Sequence, residues 1–291
     1  MVLLKWRLML TTLPWVGAVL LTKLVLEYAF GFRGLVEFSD VGVILTASVF
    51  LIGFLLAGTM TDYKESEKLP AEISTTLETL EEIFMLAATN HAGLRLPKLR
   101  RDVLELTDAI KGWLVKRRDV DIYESLSRMG RVIRELEKEG AGPYASRAIP
   151  QLLALRQRIS RIDVIARTGF LPPAYALLEV VVVLVIALML VATFDSPFVE
   201  LLIVPLVTLV NVYMLRLIRD IDNPFDYRSD GTQQGRAEVE LWPIDEYRAR
   251  LFRRLDEDYD RGAPARSVTR SENEQLVDDE DGLAAHGAHE I

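Results

Sequence analysis

The sequence predicts an all-α membrane protein: four transmembrane helices, with a cytoplasmic helical bundle inserted between the second and third spans. Three observations carry that reading. Four apolar blocks of about 20 residues or more are each long enough to cross a bilayer core as a helix. The polar stretch between the second and third blocks repeats its apolar residues at spacings of three and four. Lysine and arginine cluster at alternate ends of the blocks, so each pair of spans reads as a hairpin with its tip outside.

Composition agrees. Half of the 291 residues are hydrophobic and 26% are charged, so apolar and charged blocks alternate. The formal net charge of −8 argues against a nucleic-acid partner. From Leu251 to Ile291 five arginines stand against eleven acidic residues. Seven of these acids against three arginines fall in residues 261–291, an acidic tail whose composition predicts disorder. There is no cysteine, which excludes disulfides and thiolate metal sites.

Residues 1–60 form the first hairpin, with spans over about 8–30 and 41–60. The opening MVLLKWRLML resembles a secretory signal, but the apolar run is too long for one and no small-residue cleavage site follows. Trp6 suits the interface. Lys23 and Glu27 are four apart and share a helix face. Charges inside a span cost several kcal/mol unless paired or wetted, so the two either pair with each other or lie near the outer surface, where lysine can snorkel. Lys5, Arg7, Lys64 and Lys68 flank the hairpin against a lone Arg33 in its link, which puts the N-terminus and residue 61 onward in the cytoplasm.

The second span, VGVILTASVFLIGFLLAGTM, is free of charge. Thr46, Phe50 and Phe54 recur every four residues and share one face. That face is either a helix–helix contact, with Gly42, Gly53, Ala57 and Gly58 admitting a close neighbour, or a constriction where phenylalanines from several subunits gate by excluding water.

Residues 61–168 carry four amphipathic stripes, among them Ile73, Leu77, Leu80 and Phe84, then Val103, Leu106 and Ile110. Pro70 suits a helix start and Gly140-Ala141-Gly142-Pro143 a break. The stripes read as the core of a cytoplasmic bundle and not as a ligand site. Arg147, Arg156, Arg158, Arg161 and Arg167 crowd the return to the membrane; they serve as an orientation signal, contact lipid headgroups or attract anions.

Residues 169–218 form the second hairpin, with spans over about 171–194 and 198–218. Glu179 is the one charge in the third span. Asp195-Ser196-Pro197 makes the outer turn, Glu200 lies near the outer end of the fourth span, Pro205 kinks it, and Asn211 offers a polar bridge. Arg216 and Arg219 mark a cytoplasmic exit, so both termini are cytoplasmic. The post-membrane segment 219–260 begins RDIDNPFDYRSDG, with Asp220, Asp222, Asp226 and Asp230 around an Asn-Pro turn.

The run FLIGF at Phe50 to Phe54, followed by Tyr63, Glu65 or Glu67, and Leu69-Pro70, resembles the bestrophin channels and their bacterial relatives. The chain is also similar to the bestrophin-like membrane proteins that share this architecture without an established transport activity. In the bestrophins a phenylalanine–glycine–phenylalanine pattern on the second membrane helix lines the narrow neck of a pentameric channel. The resemblance implies neck positions for Phe50 and Phe54 and places Thr46 where the family has an apolar residue. It departs after the span, where TDYKES replaces the family's paired tryptophans. Asn223-Pro224-Phe225 stands as a bestrophin calcium motif does, which implies Asp222, Asn223, Asp226 and Asp230 as candidate calcium ligands, although Tyr227-Arg228 interrupts the acidic run. Without that implication the segment is a turn flanked by solvated charges.

No catalytic constellation emerges. His91, His286 and His289 form no cluster, and there is neither a Gly-rich phosphate loop nor a nucleophile elbow. Two functions from different classes remain. One is a bestrophin-like, anion-conducting channel in the lipid bilayer, a homo-oligomer (a pentamer by resemblance) with a pore shared between subunits and no cofactor except, by resemblance, calcium. The other is a non-conducting scaffold or regulator that binds a partner through its cytoplasmic helices. The face of Thr46, Phe50 and Phe54 discriminates: a pore needs it facing water, a scaffold packs it.

Overall fold

Apolar length sets the long helices, and the computed structural model shows where they stop. It describes residues 2–32, 34–116, 121–168, 172–227 and 237–262. In chain order the elements are α1 (Val2–Tyr28), β1 (Val36–Glu37), α2 (Phe38–Ser66), α3 (Leu69–Asn90), α4 (Leu96–Lys116), α5 (Ile122–Lys138), α6 (Gly142–Arg167), α7 (Pro172–Val191), β2 (Ala192–Thr193), α8 (Pro197–Asp222) and α9 (Trp242–Gly262). Helices α1, α2, α7 and α8 are long and apolar enough to cross a membrane. The chain is an all-α membrane protein whose only sheet among the described residues is a two-residue ladder.

The expected spans meet helices of different length. Helix α2 runs on to Ser66, well past residue 60. Glu67 and Lys68 keep right-handed helical angles, so α2 leads almost directly into α3. Pro70 falls in the first turn of α3, where its missing N–H removes no helical bond. At the other end of the bundle Gly140, at φ 83°, takes the left-handed conformation that closes α5.

The links of the two hairpins also meet. Val36 pairs with Ala192 and Glu37 with Thr193 in a parallel ladder, and the Leu35 N–H donates to the Val191 carbonyl at 2.8 Å. Gly34, at φ 81°, permits this: a Cβ there would collide with Thr193 Cγ2 and lie 2.9 Å from the Val191 oxygen. What the sequence suggests as two independent links is one clip.

Outside the membrane layer, α3 packs on α4 and α6, and α5 on α4 and α6. The stripes of Ile73, Leu77 and Leu80, of Val103 and Ile110, and of Leu155 and Ile159 are all buried in one continuous core. Helix α9, in the segment expected to follow the membrane as a separate piece, joins this core by packing on α3 and α4 with Ile244, Tyr247 and Leu251. Those residues are spaced three and four apart, so the signal was present within a charge-dense stretch. Residues 263–291 of the acidic tail lie outside the described residues. Within the membrane layer α1 packs on α7 and α8, α2 on α7 and α8, and α7 on α8. Their contacts form two smaller apolar clusters, one around Val41, Val185 and Met189 and one around Leu55, Leu178 and Val182.

Candidate functional site

Helix α2 has two faces. Val41, Ser48, Ile52, Leu55 and Thr59 are buried, on the side that meets α7 and α8. Between them Ser48 donates to Asn211 Oδ1 of α8 at 2.6 Å, the bridge expected of Asn211, whose amide also donates to the Val207 carbonyl. The other face holds Val43, Thr46, Phe50, Phe54 and Ala57, all exposed. Phe50 is 76% and Phe54 56% exposed, and Thr46 turns its hydroxyl back to the Gly42 carbonyl at 2.8 Å. A Cβ on Gly42 or Gly53 would meet nothing within 4 Å, so the close helix approach expected at these glycines is not made within the chain.

Of the two arrangements open to Lys23 and Glu27, mutual pairing is not adopted; Lys23 sits by the hairpin links. Lys23 is buried, and its partner is not Glu27. Its ammonium donates to the Ala192 carbonyl at 2.5 Å, lies 3.6 Å from Glu200 Oε1 and sits 5.6 Å from the Phe194 ring centroid. The physical reason is the end of α7 at Val191: the Ala192 carbonyl has no intrahelical donor, and Lys23 reaches it from α1. Glu27 lies beside Glu200, within hydrogen-bonding reach. Lys23 thus ties α1 to the clip and to α8. Glu179 of α7 is paired with Arg219 of α8.

Of the five arginines near the return to the membrane, three are held by carboxylates. Arg161 pairs with Glu65 at 2.6 Å and Asp62 at 3.4 Å, Arg158 with Glu72 at 3.0 Å, and Arg167 with Asp163 at 2.8 Å. Arg161 and Arg158 tie α6 to α2 and α3, while Arg167 pairs within α6, and all three offer little free positive charge.

After α8, the Asn-Pro-Phe motif anchors the chain. Phe225 is buried in the bundle core, the Val239 N–H donates to the Pro224 carbonyl at 2.8 Å, and Tyr227 donates to the Val239 carbonyl at 2.5 Å. Asp222 lies against the Tyr175 hydroxyl. Asp230 lies outside the described residues. Among the described residues no three carboxylate, histidine or cysteine side chains converge.

One polar network escaped the sequence reading because half of it is on α9. Arg100 of α4 pairs with Glu81 of α3 at 2.9 Å and with Asp258 of α9 at 2.6 Å, while Arg254 reaches Glu81 at 2.7 Å and Glu78 at 3.2 Å. Burial and the neighbouring Glu81 push the Tyr247 hydroxyl far above its ordinary pKa, so it stays protonated and donates to the Leu77 carbonyl at 3.2 Å.

Together these features define a class: four-span, all-α membrane proteins whose second span continues into an extramembrane bundle and leaves an aromatic face bare. No family model and no curated protein matches the chain. Solved structures do. A point mutant of a bacterial bestrophin homologue from Klebsiella pneumoniae superposes with a TM-score of 0.69 at 14% identity, over 83% of this chain and 97% of that one. A second structure of a bacterial bestrophin homologue from the same organism gives 0.67 at 13% identity, over 87% and 98%. A point mutant described as a membrane protein gives 0.65 at 14%, over 89% and 99%. The chain has a bestrophin-like fold.

Proposed function

We propose that the protein is a bestrophin-like ion channel, anion-conducting, assembled as a homo-oligomer around α2, with both termini in the cytoplasm and with Thr46, Phe50 and Phe54 at the neck of a shared pore. One observation carries this: the α2 face of Val43, Thr46, Phe50, Phe54 and Ala57 is bare in the protomer. Within the chain no neighbouring helix covers these rings, whereas a scaffold whose own helices packed this face would bury them. Copies of α2 around an axis would instead turn these rings into a dry, narrow ring that strips water from a passing ion. The likeness to bacterial bestrophin homologues supports this reading, and a pentamer is the assembly the resemblance implies.

The test uses the full chain purified in detergent and reconstituted into planar bilayers. The expected outcome is a multi-subunit ring that passes current, with the Phe50→Ala/Phe54→Ala double variant conducting more while the oligomer stays intact. A monomer or dimer, or an intact oligomer without flux in wild type and variant alike, overturns the channel and leaves the scaffold.

A further inference from the structure

We propose that Lys64 and Lys68 form the charged ring below the aromatic neck that makes the passage select anions. The inference rests on the channel reading and names residues that the reading leaves open. In an α-helix each seven-residue step returns to nearly the same face, about 20° short of two full turns. Ala57 and Lys64 follow Phe50 at seven and fourteen residues, and Lys68 comes eighteen residues on, about five whole turns. The backbone stays helical through Glu67 and Lys68, so the bare stripe continues unbroken from the phenylalanines to the two lysines. Both are exposed.

The acids nearby are disposed otherwise. Asp62 and Glu65 are held by Arg161 of α6, and Glu72 by Arg158. Lys68 is close enough to Glu65 to act on its charge, but that carboxylate already takes Arg161 at 2.6 Å. Glu67 lies about 100° round the helix, against Tyr63, with Glu238 and Glu240 on the same side. At the outer end Asp40 is about 80° off the stripe. The first charges along the stripe below Phe54 are therefore ammonium groups, Lys64 about 15 Å and Lys68 about 21 Å further along the axis at 1.5 Å per residue. Repeated in every subunit around a narrow lumen, they would raise the local concentration of anions and exclude cations at the mouth.

The experiment measures reversal potential in planar bilayers under a KCl gradient, using the intact oligomer of the full chain. Wild type should reverse near the chloride potential. The Lys64→Glu/Lys68→Glu variant should lower the anion-to-cation permeability ratio by about tenfold or more, the scale by which a charged mouth enriches its counter-ions. Lys64→Gln/Lys68→Gln should fall between, and supplies the reading if the double glutamate variant does not assemble. Lys138→Glu, at the far end of α5, should leave the ratio unchanged. Currents with wild-type reversal in the lysine variants overturn the inference and leave the channel standing. Absence of current in wild type overturns the channel and the inference together.

Discussion

The bundle and the membrane layer come from one chain and treat their apolar side chains in opposite ways. In α3–α6 and α9 apolar stripe meets apolar stripe, and a single core runs through five helices. In α1, α2, α7 and α8 only 17–22% of the most apolar windows is buried, and the contacts split into two small clusters. Phe84 and Phe50 make the contrast concrete. They lie on the nearly continuous rod of α2 and α3, yet one is 0% and the other 76% exposed. Water drives the bundle's stripes together. Lipid is as apolar as leucine, so in the membrane layer that drive is absent and specificity falls to polar ties such as Ser48–Asn211 and Lys23–Glu200. The bundle closes its core within one chain, whereas α2 leaves an aromatic face uncovered in the membrane layer.

The largest expected effect tests that contrast directly. Phe84→Ala should cost about 3–5 kcal/mol, as large-to-small changes in closed cores do, whereas Phe50→Ala removes no buried contact within the protomer and should leave its own unfolding unchanged. Thermal and denaturant unfolding of the purified full chain compares them; equal losses would erase the distinction between the two regions.

A smaller effect concerns the tie at the clip. Lys23→Met should cost about 2 kcal/mol by leaving buried Glu200 without its cation, and adding Glu200→Gln should recover most of it. Adding Glu27→Gln instead should recover less. A double-mutant cycle in which Lys23 couples more strongly to Glu27 would contradict the structure.

The smallest expected effect lies inside the bundle. Burial, with Glu105 and Glu135 adding, holds the Asp102 carboxyl above the ordinary carboxylate range, while Lys98 opposes. A raised folded pKa means that the native state holds its proton more tightly than the unfolded chain. Its stabilising contribution is full below the ordinary value and is lost as pH rises through the folded one. Asp102→Asn should therefore raise the melting temperature at neutral pH, and the gain should vanish as pH falls below about 4, the ordinary aspartate value. A gain that persists in acid would assign the effect to something other than this ionisation.

Much of this architecture is legible in the chain because it is local. Length and hydropathy mark the spans, the three-and-four spacing of Ile73, Leu77, Leu80 and Phe84 marks a buried stripe, and Gly140 marks a break. The α2 face of Thr46, Phe50 and Phe54 follows from helical periodicity alone. Tertiary structure decided what lies on either side of that face: Ser48 turns inward to Asn211, while Phe50 stays bare. It also decided that Lys23 reaches Ala192 and Glu200 and passes over the nearby Glu27, that Gly34 serves a clip between two distant links, and that α9 returns to finish the bundle. The physical reason is separation along the chain. Periodicity reports which side chains share a face, but Lys23 and Ala192 stand 169 residues apart. Which faces and carbonyls meet over such distances depends on how the helices pack and where each of them ends.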